Sequence, residues 1–145
     1  MKKQIVLADF ISSIVLLLML YAALSKLSDI GHFKFVLARS PLLKPIAHII
    51  AWVIPVSEIL IAILLIVPIT RTRALLYSII LLSVFTIYLT GMLLFSSDVP
   101  CSCGGVIQKL SWPQHIIFNL FFISLSISGI VLYKKHKEAM QRTPP

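Results

Sequence analysis

Residues 46–68 read IAHIIAWVIPVSEILIAILLIVP and contain a single charged side chain, that of Glu58. An apolar stretch of this length is typical of a helix that crosses the ~30 Å hydrocarbon core of a bilayer, which takes about 20 residues. Three further stretches of the same kind lie at about 5–25, 74–95 and 113–133. Because the backbone must satisfy its own hydrogen bonds inside lipid, we expect each stretch to be a helix.

The composition of the chain supports the same interpretation. Hydrophobic residues make up 59% of the 145 residues and charged residues 12%, whereas soluble domains have about 45–50% and about 25%. The sequence therefore predicts an all-α integral membrane four-helix bundle, a single membrane domain over 1–145 in contact with the lipid bilayer. The first apolar stretch exceeds the ~7–15 residues of a signal-peptide core, so we expect it to remain as a span.

The basic residues predict the orientation of the bundle. The net charge is +8, but Lys and Arg lie between the apolar stretches rather than along one polar face, which argues against nucleic acid as a partner. With four spans both termini share one side, and that side has eight of the 13 basic residues: Lys2, Lys3, Arg71, Arg73, Lys134, Lys135, Lys137 and Arg142. The positive-inside rule then places both termini in the cytoplasm. Loops 26–45 and 96–112 would face the periplasm or exterior of a cytoplasmic (inner) membrane.

Each outward loop contains a local signal. Residues 31–39, GHFKFVLAR, alternate apolar clusters with charges, which fits either a short amphipathic helix on the membrane surface or a basic interfacial loop. A helix there would end at Ser40, because the following residue is proline. In the second loop, Ser111 and Gln114 match a capping box that would start the fourth helix.

The two cysteines of the chain, Cys101 and Cys103, are separated by one residue in the loop 96–112. On the oxidising side of a membrane disulfides persist. A Cys-x-Cys ring is too small to gain much from loop-closure entropy, whereas strained or exposed disulfides are often labile or catalytic. Gly104 and Gly105 supply the backbone freedom that such a ring needs.

Three hypotheses for Cys101 and Cys103 stay open at this point. They could be a redox-active dithiol, two soft ligands for copper(I) or zinc, or an inert local feature. A metal site would need completion by His115, His48, His32 or a partner protein, since two ligands do not fill a tetrahedral site. His48 and His115 flank the outward ends of their spans, and a histidine beside either cysteine would favour its thiolate.

Glu58 is the second candidate, because a carboxylate at mid-depth is unfavourable by about 2.5–3.5 kcal/mol on insertion scales. Pro55, three residues earlier, removes a helix hydrogen bond and allows a kink. The functional hypothesis is proton transfer or contact with a quinone, and the structural alternative is an ion pair with Lys26. For Lys26 itself the default expectation is snorkelling to the interface. Asp9 is expected at the cytoplasmic interface without a role, and Asn119 as an interhelical hydrogen bonder.

A family resemblance joins these residues. ALSK at 23–26, PVSE at 55–58, Arg71 or Arg73, and CSCGG at 101–105 occur in an order that resembles the MauE branch of the DoxX-like membrane proteins. The resemblance extends from the first span into the fourth. At Gly104 the chain differs from many members, which have an aromatic residue there.

The resemblance implies a function. MauE-type proteins are four-helix membrane proteins associated with methylamine utilisation and with disulfide formation in an exported partner, and DoxX relatives are linked to quinol oxidation. It implies that Cys101 and Cys103 exchange a disulfide with an exported or lipid-anchored thiol protein, coupled to a quinone, with Lys26 and Glu58 as the intramembrane polar pair. The alternatives are a non-catalytic subunit or assembly factor of a larger membrane complex, and copper or zinc handling.

Overall fold

The computed structural model describes residues 2–40, 42–95 and 112–142, which form helices joined by short turns and contain no strand. The residues Cys101, Cys103, Gly104 and Gly105, and the predicted N-cap Ser111, lie outside the described residues. Five α-helices and one 3₁₀ turn are present in the described part: α1 Lys2–Ser28, α2 Ile30–Arg39, the 3₁₀ turn Lys44–Ile46, α3 Ala47–Ile66, α4 Arg71–Phe95 and α5 Trp112–Arg142.

Four of these helices are long and apolar enough to cross a membrane. The candidate spans are Lys3–Ser28, Lys44–Ile66, Arg71–Leu94 and Pro113–Gln141. Their outward faces present large apolar side chains such as those of Phe10, Ile87 and Phe121, which suit contact with lipid. The predicted all-α bundle of four membrane helices is therefore confirmed.

The four long helices form a bundle in which each packs against the long helix that follows it in sequence, and α5 packs back against α1. Helix α1 packs against α3 and α5, and α4 packs against the same two helices, so α3 and α5 occupy opposite corners. Val15, Met19, Leu65 and Leu75 fill the interior. Where α5 meets α1 and α4, Gly129 is buried and provides the room for close approach.

The ends of the bundle follow from this arrangement. Asp9, near the start of α1, contacts Arg71 at the start of α4 and Tyr133 towards the end of α5. These contacts place both ends of the described chain at one end of the bundle, and the junctions α1–α2–α3 and α4–α5 at the other. That the first of these ends faces the cytoplasm stays a prediction.

The segment after α1 is a helix, so the predicted helix is confirmed and the loop hypothesis is wrong, while its location on the membrane surface stays a prediction. Asp29 caps α2 by accepting a hydrogen bond from the His32 backbone N–H at 3.0 Å. The helix ends at Ser40, whose extended ψ of 124° is the geometry favoured before a proline. Its buried side chains, Phe33 and Leu37, pack against α3, so the apolar face of α2 covers protein.

Candidate functional site

Lys26 and Glu58 form an ion pair between the last turn of α1 and the middle of α3. The Lys26 Nζ donates to Glu58 Oε1 at 2.8 Å and to the Ala22 carbonyl at 3.3 Å. The side chains are only 11% and 8% exposed. The default expectation that Lys26 snorkels to the interface is wrong, because a buried carboxylate draws the ammonium inward as its counter-charge. The structural alternative for Glu58, an ion pair with Lys26, is confirmed.

Pro55 lies three residues before Glu58 and is buried inside α3, which stays continuous from Ala47 to Ile66. Without an N–H, Pro55 cannot donate to the carbonyl of Ala51, so the helix lacks one hydrogen bond just before the acid. Pro55 does not line the cavity into which Glu58 projects. Its part in the site is to shape the helix.

Glu58 and Lys26 border a cavity of about 240 Å³ lined by the four long helices together with Leu37 of α2 and Leu43. The walls are mostly aliphatic and aromatic. The side chains that line it are Leu18, Met19, Ala22, Lys26, Leu37, Leu43, Ile50, Ile54, Glu58, Leu81, Leu82, Val84, Phe85, Tyr88, His115, Phe118 and Asn119. One of them, Val84, is also 61% exposed on the outer surface of α4, so the cavity reaches the lipid-facing side of the bundle there.

Helix α5 contributes two polar side chains to this cavity, His115 and Asn119, which are 5% and 2% exposed. Their spacing of four residues puts them on one face of the helix. The His115 ring packs 5.7 Å from the ring of Phe85, centroid to centroid. His115 was predicted as a helper of the cysteines, and the structure places it in the cavity beside the Lys26–Glu58 pair. His48 is exposed and does not line the cavity.

Three buried polar atoms at the cavity have no hydrogen-bond partner among the described residues: Glu58 Oε2, His115 Nδ1 and Asn119 Nδ2. Each buried, unsatisfied group is unfavourable by about 1–3 kcal/mol. Native proteins contain few such groups, and a cluster of them calls for a bound molecule that completes the hydrogen bonds. The arrangement can therefore hold a largely apolar ligand that has hydrogen-bonding groups at more than one point.

The sequence did not indicate that Asn119 lines a cavity. Asn119 was expected to bond to another helix, but its amide nitrogen faces the cavity without a partner in the described chain. The usable signal was its spacing of four from His115, which predicts one polar face on an otherwise apolar helix. Among the described residues, no three His, Cys, Asp or Glu side chains lie close enough together to hold a metal ion.

A second polar cluster, at the opposite end of the bundle, was not predicted. Asp9 Oδ1 accepts hydrogen bonds from Arg71 at 2.6 Å and from the Tyr133 hydroxyl at 2.6 Å. The Tyr133 hydroxyl also lies 3.1 Å from Ser12 Oγ, and Arg71 Nε donates to the Leu65 carbonyl at 3.1 Å. The cluster ties α1, α4 and α5 together. An acid and an arginine at span ends on the same side were its signal in the sequence.

Comparison with known families gives a match to the model of the family described as methylamine utilisation protein MauE, over residues 4–132. The matched range contains the ion pair, the whole cavity lining and both cysteines. No significant match was found among curated proteins or among solved structures.

Proposed function

This chain belongs to the MauE family, and we propose that it is a thiol–disulfide oxidoreductase of the cytoplasmic membrane. Cys101 and Cys103 exchange a disulfide with an exported or lipid-anchored thiol protein, on the periplasmic or outer side. A quinone held in the bundle would accept electrons from this pair, and a quinol would supply them. Both termini lie in the cytoplasm in this proposal.

The observation that carries the proposal is the apolar cavity with unpartnered polar atoms, towards the end of the bundle where segment 96–111 is attached. Helix α4 leads into that segment and α5 begins directly after it, with His115 near its start. The two cysteines are therefore tethered to helices whose side chains line the cavity. A redox carrier in the cavity would lie close to the attachment of the thiol-bearing segment, which supports a coupled function.

The exchange with the partner requires only the two thiols. A thiolate of one cysteine attacks the disulfide of the partner, forming a mixed disulfide and releasing one partner thiolate. The second cysteine then attacks the mixed disulfide, which yields the Cys101–Cys103 disulfide and a second partner thiolate. The reverse sequence oxidises the partner instead. Strain in the two-cysteine ring would favour the reverse sequence, because opening the Cys101–Cys103 disulfide relieves it.

A bound quinone would supply an acceptor for the two electrons and two protons that leave when two thiols become a disulfide, and a quinol would supply the reverse. The residues of the cavity fit this group, because they combine apolar walls with unpartnered polar atoms. The Lys26–Glu58 pair and His115 provide groups that can hold or pass a proton at Glu58 Oε2 and His115 Nδ1. Proton handling by Glu58 is thus part of the proposal.

Single cysteine variants test the exchange directly. With Cys103→Ser or Cys101→Ser, the remaining thiol can attack a partner but no second thiol can resolve the complex. We expect one of the two variants to accumulate a reductant-sensitive complex on non-reducing gels, identifiable by mass spectrometry. The double variant should form none, and Ser102→Ala is the matched control that leaves both thiols in place.

The contrary outcome is equally definite. If no variant traps a partner, and the redox state of exported thiol proteins is the same with the double variant as with the natural chain, the proposal is wrong. In that case, stoichiometric co-purification with another membrane protein in mild detergent would support a non-catalytic subunit.

A further inference from the structure

We propose that the cavity between Lys26, Glu58, His115 and Asn119 binds the ring of a quinone that enters from the bilayer beside Val84. This proposal refines the function proposed above, and the redox role of the bound quinone rests on that function. Binding itself does not need the cysteines, so the two ideas can fail separately.

The walls and the opening of the cavity select a ligand that is soluble in lipid. Apart from the four polar side chains and the Tyr88 hydroxyl, the lining is hydrocarbon or aromatic. Val84 lines the cavity and is 61% exposed on the lipid-facing surface of α4. A ligand can therefore arrive from the hydrocarbon layer without crossing water, which an ionic metabolite could not do.

The size of the cavity selects a single ring. Its volume of about 240 Å³ lies below the ~300–1,000 Å³ that is usual for pockets holding drug-sized ligands. An isoprenoid tail would not fit inside with the ring and would extend past Val84 into the bilayer. This division places the polar head in the protein and the apolar tail in lipid.

The unpartnered atoms select a ring with more than one polar group. Glu58 belongs to α3 and both His115 and Asn119 belong to α5, and these helices stand at opposite corners of the bundle. Asn119 Nδ2 is a donor, Glu58 Oε2 is an acceptor when ionised, and His115 Nδ1 is either, according to its proton. A carbonyl oxygen of a quinone can accept a hydrogen bond from Asn119 Nδ2. A hydroxyl of a quinol can donate one to Glu58 Oε2.

Other lipid-soluble molecules match this set less well. An anionic lipid head group would face Glu58, while the lysine that could bind it already pairs with that acid. A molecule with one hydroxyl would leave polar groups at one corner unsatisfied. The combination of donor and acceptor atoms on α3 and α5 is the property that a quinone ring matches.

The test uses the full chain with Cys101→Ser and Cys103→Ser, in lipid nanodiscs, so that no thiol chemistry contributes. A short-chain benzoquinone is titrated and heat of binding is measured, with empty nanodiscs as the partition blank. We expect saturable binding. In the same background Asn119→Leu and His115→Leu should each weaken it by several-fold to about tenfold, the loss of one hydrogen bond. His48→Leu, an exposed position, is the matched control and should bind as before.

A further variant distinguishes loss of binding from loss of folding. Val84→Trp enlarges a largely exposed side chain at the opening of the cavity and should reduce binding by obstructing entry, with the thermal unfolding of the ligand-free protein unchanged. Absence of saturable binding to the cysteine-free chain would overturn the proposal, as would binding that Asn119→Leu, His115→Leu and Val84→Trp all leave unaltered. If quinone binds as predicted but the natural cysteines trap no partner, the site stands and the proposed exchange function fails.

Discussion

At the scale of single residues, the sequence identified Glu58 and Lys26 because a charge within or beside an apolar span is conspicuous. It left open whether they meet, since that depends on which helices are neighbours. The structure settles this with a distance of 2.8 Å between Lys26 Nζ and Glu58 Oε1. His115 was singled out for a different reason, and Asn119 was not linked to it, because a histidine or asparagine alone does not indicate a shared cavity.

The ion pair leads to a prediction about stability. Lys26→Met leaves the buried Glu58 without its counter-charge, and Glu58→Gln leaves the lysine alone, so each should destabilise the protein by about 3–5 kcal/mol. The double variant should be more stable than either single variant, because neither charge is then left unpaired. Thermal unfolding in detergent measures the order, with exposed Lys44→Met as the control. Single variants as stable as the control would show that the pair does not hold α1 to α3.

At the scale of the helices, α2 was foreseen from its alternation of apolar and charged residues, with a loop as the alternative. What the sequence could not show was its docking on α3 through Phe33 and Leu37. For the four long helices, the face that packs against other helices is still harder to predict from the sequence. Residues facing lipid and residues facing other helices are both apolar, so periodicity does not reveal which faces pack.

Gly129 provides a prediction for the packing of α5. A Cβ there would lie 3.0 Å from Leu75 Cδ1 and 3.1 Å from Ile11 Cγ2, whereas at Gly91 nothing lies within 4 Å. Gly129→Leu should therefore destabilise the bundle, by about 1–3 kcal/mol as for other overpacked sites. Gly129→Ala should also be less stable than Gly91→Ala, which gains helix propensity without a clash. Equal melting temperatures for the two alanine variants would contradict this close approach.

Removing one hydrogen bond from the Asp9–Tyr133 cluster should destabilise the protein less than these changes. Tyr133→Phe removes the hydrogen bond to Asp9 but keeps the ring, so the expected loss is about 0.6 kcal/mol, the average for such bonds in membrane helices. Tyr77→Phe, at a side chain that faces outward, is the matched control. The two melting curves should differ in the presence of Asp9 and coincide in an Asp9→Ala background, which has no side-chain acceptor. A difference that persists in that background would place the contribution of Tyr133 elsewhere.

At the scale of the whole molecule, the four-helix bundle was predictable because the bilayer dictates it through length, hydropathy and backbone hydrogen bonding. The helix order around the bundle was not, since four apolar helices can pair in several ways. The cavity depends on that order, because its polar groups come from α1, α3 and α5. The cysteine segment was evident from the sequence, and its structure lies outside the described residues.

Orientation is also a property of the whole chain. The excess of Lys and Arg flanking the Asp9 end of the bundle predicts that this end faces the cytoplasm. A fluorescent protein that folds only in the cytoplasm, fused after Pro145, should fluoresce. Alkaline phosphatase, active only when exported, should be inactive at that position and active when inserted within the loop 96–111. The opposite pattern would place the cysteines in a reducing compartment and remove the basis for stable disulfide exchange.

The central claim, that this bundle couples Cys101 and Cys103 to a quinone, is tested most directly by counting thiols. Purified, reduced chain in nanodiscs is mixed with a short-chain benzoquinone without oxygen, and free thiols are then alkylated and counted by mass. We expect quinone-dependent loss of both thiols, with one quinol formed per disulfide, and slower loss in Asn119→Leu. Thiols that stay reduced at every quinone concentration would contradict it.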